Sequence, residues 1–100
     1  MNTTIEEING KFIATLEGEM DTAAAVEAEE VLQTLYQSNG QDVIIDCTNL
    51  EYIASSGLRI LLGILKGAQT TGSKVIMRGV SDDIKNVFEL TGLISIFEFE

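Results

Sequence analysis

Alternating apolar and polar positions near the start of the chain predict a β-hairpin over Thr4 to Glu17. The segments TIEEI and FIATL flank the dipeptide Asn-Gly, and FIATL alternates apolar residues with small or polar ones. Asn-Gly between two such segments is typical of a two-residue type I′ turn. Gly18 interrupts the alternation, so we expect the second strand to end before it.

The segment AAAVEAEEVLQTLYQS has the period of an amphipathic helix rather than that of a strand. Asp21 or Thr22 would cap the start of this helix, and Gly40 would follow its end. The apolar residues that recur near helical spacing are Ala24, Val31, Leu32 and Leu35. The glutamates, which fall mostly on the outer side, are Glu27, Glu29 and Glu30.

Five further patterns complete the chain. DVIID and KVIM are short apolar runs typical of strands buried on both faces, and ISIFEFE is a possible last strand. Between DVIID and KVIM, Leu58 to Leu65 carry apolar side chains around so much of the circumference that this helix must be mostly buried. The segment SDDIKNVFELTG predicts a final helix, capped by Ser81 or Asp82 and stopped by Gly92.

This order of strands and helices defines an α/β fold. Right-handed crossovers would place parallel strands beside the hairpin, and three helices would pack on the sheet. We therefore expect one domain over residues 1–100, with a mixed sheet of four to five strands and three helices packed against it. One hundred residues suffice for a single core.

The amino-acid composition excludes several classes of function. Sixteen acidic and six basic residues give a net charge of −10, which disfavours binding to nucleic acid and to anionic lipid. No apolar run approaches the ~20 residues that cross a bilayer, and the first nine residues do not form a leader, so a cytoplasmic protein without membrane insertion is expected. Histidine is absent, and the single cysteine, Cys47, lies in a strand-like run where a small buried hydrophobe is expected. The sequence therefore predicts neither an enzyme nor a metal or cofactor site.

The stretch IASSGLRILLGIL places two serines and a glycine at the start of the buried helix. A serine in that position is most often an N-cap. One cap needs only one serine, however, and Gly57 in the first turn carries a cost of roughly 0.5–1 kcal/mol relative to alanine. Loops that follow strands of an α/β sheet commonly bind ligands or partners, and a helix start accommodates a phosphate well. Ser56, whose hydroxyl we expect to stand in open water with Arg59 one turn ahead, is therefore a chemically sensible phosphorylation site that would change a surface without unfolding the protein.

Three segments resemble STAS domains, the fold of bacterial anti-sigma-factor antagonists. DCTNLEYIASSGLRILLGILK resembles the family signature around the serine, GEMDTAAA resembles the Gly-x-x-Asp segment before the first helix, and VFELTGLISIF resembles the family ending. The resemblance covers nearly the whole chain, with the three segments in the family order.

The resemblance implies a non-enzymatic regulatory module that is switched by a partner. The family phosphoacceptor matches Ser56, and the partner-binding surface would include Asp21, Ser55, Ser56, Gly57 and Arg59. The unmodified surface would bind an anti-sigma factor of the GHKL serine-kinase type, phosphorylation of Ser56 would end the binding, and a phosphatase would restore it. The kinase would hold the ATP, and this chain is expected to be a monomer.

One position departs from the family pattern. Switching antagonists carry Asp two residues before the acceptor, where this chain has Ala54. Two alternatives therefore stay open. A STAS domain can be a fixed accessory subunit of a transport or signalling complex without a phosphorylation switch. A weaker alternative is a nucleotide or small-ligand site at Ser-Ser-Gly-Leu-Arg, although the lysine-bearing glycine-rich loop of a nucleotide site is missing.

Overall fold

The computed structural model describes every residue from Met1 to Glu100. A 3₁₀ segment, Gln33–Gln37, follows directly on the first helix. The five strands and three helices are β1 (Asn2–Ile8), β2 (Lys11–Met20), α1 (Thr22–Leu32), β3 (Val43–Ile53), α2 (Ser55–Thr70), β4 (Val75–Arg78), α3 (Asp82–Leu90) and β5 (Glu98–Phe99).

The predicted hairpin is confirmed, and its second strand is longer than expected. Asn9 and Gly10 have φ angles of 53° and 76°, as a type I′ turn requires at both central residues. Strand β2 does not end before Gly18. It continues to Met20, because Gly18 adopts a φ of 98° at an irregularity in the pairing with β3. Glycine reaches that conformation without steric cost, so the strand bends there instead of stopping.

The sheet confirms the predicted α/β class. Its five strands lie in the order β1-β2-β3-β4-β5; the first pair is antiparallel, and the remaining neighbours are parallel. Successive crossovers of one hand between adjacent parallel strands place their helices on the same face of the sheet. Ala14, Ile45 and Met77 lie in register on that face and belong to one cluster of 23 buried apolar residues.

The buried face of α1 and of the 3₁₀ segment agrees with the prediction at Leu32 and Leu35 and differs from it at Val31. Ala25, Ala28 and Leu32 are buried, whereas Val31 is 38% exposed and Val26 is 65% exposed. Alanines on the inner face let the helix backbone lie close to its neighbours, so small residues here do the packing that we expected from larger ones. This arrangement leaves two valines of α1 toward solvent.

Helix α2 is buried as predicted and lies close to the 3₁₀ segment. Most of its apolar side chains are in the core: Leu58, Ile60, Leu61, Ile64, Leu65 and Ala68. A Cβ atom built on Gly67 would collide with the backbone carbonyl of Tyr36, so this position has no room for a side chain. The close approach fixes the position of α2, including its first turn, relative to the end of α1.

The remaining strands are confirmed in order but differ in length. Strand β3 runs for 11 residues, well beyond the predicted DVIID, and ends at Ile53. The predicted last strand is reduced to Glu98 and Phe99, which pair with β4. The long β3 carries the chain to the edge of the sheet at which the serines lie.

Candidate functional site

Two parallel strands end side by side and bring the starts of α1 and α2 together. Met20, the last residue of β2, is in register with Ile53, the last residue of β3. The N–H of Ala54 donates to the carbonyl of Met20 at 2.8 Å. Asp21 and Ala54, the two residues that follow these strands, therefore lie close to each other. The carboxyl edge of the sheet is where α/β proteins commonly bind their ligands.

Side chains cap α1 and α3. Asp21 is the N-cap of α1, and its carboxylate accepts a hydrogen bond from the N–H of Ala24 at 2.8 Å. Ser81 is the N-cap of α3 and accepts from the N–H of Ile84 at 3.2 Å. The structure thus selects one residue from each predicted pair. Asp21 remains exposed while it caps the helix.

Neither serine caps α2. The N-cap is Ala54, with extended backbone angles and no side-chain hydrogen bond, and Ser55 and Ser56 are the first two helical residues. The common interpretation of these serines as helix caps is therefore wrong. The N-cap alanine leaves the first turn of the longest helix without the stabilisation of about 1 kcal/mol that a polar cap provides.

The two hydroxyls differ in exposure. Ser55 is exposed, whereas Ser56 is half-buried. The Ser56 oxygen has less than 1 Å² of accessible surface and no hydrogen-bond partner. The expectation that this hydroxyl stands in open water is therefore wrong for the observed rotamer. A partner can reach the oxygen only after rotation about the Cα–Cβ bond, and this rotation breaks no hydrogen bond.

Gly57 lies inside the molecule and is not part of its surface. It is buried, and a Cβ atom at this position would lie 2.9 Å from both Ile53 Cγ1 and Met20 Sδ. The glycine is therefore explained by the packing of α2 on the ends of β2 and β3. Because Gly57 is buried, the prediction that it contacts a partner directly is corrected: its lack of a side chain serves the packing of α2.

Arg59 is exposed and lies between two grooves. Its side chain is in no ion pair; the structure has one, between Arg78 and Glu100. One groove, the α1–α2 groove, has a volume of about 230 Å³ and includes Ser56 and Arg59 in its lining. The other, the α2–α3 groove, has a volume of about 250 Å³ and includes Ser55 and Arg59.

Sequence reasoning missed the residues that complete these grooves. Val26 and Tyr36 line the α1–α2 groove, and Leu62 and Leu93 line the α2–α3 groove. Each is an ordinary apolar or aromatic residue, so nothing in the local sequence distinguishes it from a core residue. Only its position in the fold shows that it lines a groove.

The single thiol is not part of the site. Cys47 is buried in β3, and burial raises its pKa to about 12. Because the thiolate is the reactive form, this thiol is inert at neutral pH. Its interpretation as a small buried hydrophobe is confirmed.

The fold and the site define a small α/β module whose distinctive surface is a helix start with two hydroxyls, one acidic neighbour and two flanking grooves. The chain belongs to the STAS domain family: the family model matches residues 2–100. No helix has both the length and the apolar composition that a membrane span requires.

Two relatives are described as anti-sigma factor antagonists, and one solved structure shares the fold. A Bordetella bronchiseptica protein provisionally described as the anti-sigma factor antagonist BtrV is 31% identical over 97 residues, which cover 97% of this chain and 84% of that protein. The Staphylococcus aureus anti-sigma-B factor antagonist is 37% identical over 76 residues, 76% of this chain and 70% of that protein. The structure of the phosphorylated Bacillus cell fate determinant SpoIIAA matches with a TM-score of 0.75 at 20% identity, over 99% of this chain and 91% of that one.

Proposed function

We propose that this chain is an anti-sigma-factor antagonist that acts by reversible protein binding in the cytoplasm. Its surface of Asp21, Ser55, Ser56 and Arg59 binds an anti-sigma factor of the GHKL serine-kinase type and releases the sigma factor. We name this the switch surface. Two relatives described as antagonists support the proposal, each at more than 30% identity.

The observation that carries the proposal is the state of the Ser56 hydroxyl. It caps no helix and makes no hydrogen bond, although polar side chains cap both other helices. A buried hydroxyl without a partner costs roughly 1–3 kcal/mol, so this oxygen does not stabilise the fold. A role in the interaction with another protein explains why position 56 carries a hydroxyl.

The proposed switch is phosphorylation of Ser56 by the bound partner. The Ser56 oxygen attacks the γ-phosphorus of ATP held by the partner, the hydroxyl proton leaves, and ADP is released. The phosphoryl group adds about −1.5 to −2 charges at the start of α2, where the helix dipole and free N–H groups accommodate it. It therefore changes the switch surface, by charge and bulk, without unfolding α2.

The test compares partner affinity in two aspartate variants. Ser56→Asp should weaken binding of the purified candidate anti-sigma factor at least tenfold, as measured by calorimetry. Thr70→Asp is the matched control: it adds the same charge to an exposed position at the opposite end of α2 and should leave affinity within twofold of wild type. Equal affinities for all three proteins would contradict the switch.

A second candidate function retains the fold without the switch. Ala54 stands where the family pattern has an acidic residue two positions before the phosphoacceptor. This departure favours a fixed accessory subunit of a transport or signalling complex. Under that function the partner binds wild type and Ser56→Asp equally, so the same measurement distinguishes the two.

A further inference from the structure

The α1–α2 groove begins at the switch surface and extends along α1 away from it. Residues of α1 and α2 form most of its lining, among them Ala25, Val26, Glu29, Ser56, Arg59 and Ile60. Ala25 and Ile60 are buried, whereas Val26 is 65% exposed. The groove thus combines an apolar floor with an exposed apolar wall. Such a surface suits the aliphatic part of a long side chain.

Glu29 is held in this groove with one of its two oxygens unused. The Tyr36 hydroxyl donates to Glu29 Oε2 at 2.7 Å, and no donor reaches Oε1. Burial, followed by the hydrogen bond to Glu29, raises the pKa of Tyr36 to about 12. The hydroxyl therefore stays a donor at neutral pH and fixes the carboxylate in place. No cation pairs with Glu29, although Arg59 lines the same groove.

Ser56 can supply a second acceptor to the groove. Its oxygen has no hydrogen-bond partner, and rotation about the Cα–Cβ bond is needed to bring it into reach of a bound group. With that rotation the groove offers two acceptors that no donor of this chain serves, the Glu29 carboxylate and the Ser56 hydroxyl. A hydroxyl in this condition is stabilised by any donor that reaches it.

Charge favours a cationic occupant. Helix α1 carries Glu27, Glu29 and Glu30 and no basic residue, and the chain has a net charge of −10. Arg59 is the one cation in the lining, and it forms no ion pair with Glu29, so the carboxylate stays open to a cation from a partner. A guanidinium offers five N–H donors in a planar fork and can serve two acceptors at once, unlike the compact ammonium of lysine.

We propose that the α1–α2 groove binds an arginine side chain of the partner, with the guanidinium on Glu29 and on the Ser56 hydroxyl rotated into the groove, and the stem on Val26 and Ile60. This inference rests on the proposed function, because it names the chemistry by which the partner is recognised. In this proposal Glu29 contacts the guanidinium directly, whereas Glu27 and Glu30 only add negative charge that attracts a basic partner.

The first experiment needs no partner. The ¹⁵N-labelled chain is titrated with Nα-acetyl-arginine amide and, separately, with Nα-acetyl-lysine amide, and amide shifts are followed by NMR. We expect saturable shifts at Val26, Glu29 and Ser56 with the arginine compound, several-fold weaker binding of the lysine compound, and loss of the shifts in Glu29→Gln. Glu30→Gln, an exposed neighbour outside the groove lining, should retain them. Absent shifts, or shifts that persist in Glu29→Gln, would overturn the proposal.

The second experiment uses the candidate anti-sigma factor. Glu29→Gln should weaken its binding about tenfold, and Glu30→Gln less than twofold. Equal losses in the two variants would mean that the acidic helix merely attracts a basic partner, and the groove contact would be rejected. If the partner fails to bind even the wild type, the proposed function fails by itself, and the arginine titration still decides whether the groove recognises a guanidinium.

Discussion

At the scale of single residues, Ser56 and Ala54 are two positions at which the residue lowers the stability of the fold. Ser56 buries a hydroxyl that bonds to nothing, and Ala54 occupies a cap position that favours Asp or Ser. Polar residues occupy the equivalent cap positions of α1 and α3. Such departures from local consistency are expected at functional sites. Their location at the start of α2 is therefore an argument for function that does not depend on the relatives.

This argument predicts that removing the Ser56 hydroxyl stabilises the protein. Ser56→Ala should raise the free energy of unfolding by about 1 kcal/mol, because it removes an unsatisfied polar group and introduces a better helix former. Ser81→Ala should lower it by about 1 kcal/mol, since that serine caps α3. Urea denaturation measures both. A loss of stability in Ser56→Ala would mean that the hydroxyl serves the fold.

At the scale of elements, sequence patterns predicted the order of strands and helices because each signal is local. Asn9-Gly10 encodes its own turn, and Ser81 caps the helix that it precedes. The grooves could not be predicted, because they depend on how closely α1, α2 and the 3₁₀ segment pack. Gly57 illustrates the difference: the sequence shows a costly glycine, but only the fold shows that Met20 and Ile53 occupy its side-chain space.

The same packing predicts unequal effects for two glycines of α2. Gly67→Ala should cost about 3 kcal/mol, because its Cβ would collide with the rigid backbone carbonyl of Tyr36. Gly63→Ala should cost only about 1 kcal/mol, since its Cβ would meet the Tyr36 ring, which can shift by straining its hydrogen bond to Glu29, and alanine favours the helix. Thermal unfolding of both variants tests the difference. Equal losses would contradict the account of how α2 is positioned.

At the scale of the whole molecule, the chain combines a stable α/β core with an acidic surface and one unusual helix start. The net charge of −10 favours a basic partner, and that attraction weakens as salt is added. The proposed phosphorylation would add further negative charge at Ser56 without changing the core. The central claim is that a partner phosphorylates a single hydroxyl of this chain, that of Ser56.

Mass-spectrometric mapping tests this claim most directly. Wild type, Ser56→Ala and Ala54→Asp are incubated with the candidate anti-sigma factor, magnesium and ATP, and modified residues are identified over time. The account predicts a single phosphoryl group on Ser56 in wild type, none in Ser56→Ala, and faster modification in Ala54→Asp, which introduces the acidic residue that the family pattern has two positions before the phosphoacceptor. Wild type that stays unmodified while Ala54→Asp is phosphorylated, or phosphate on Ser55 in place of Ser56, would contradict the account.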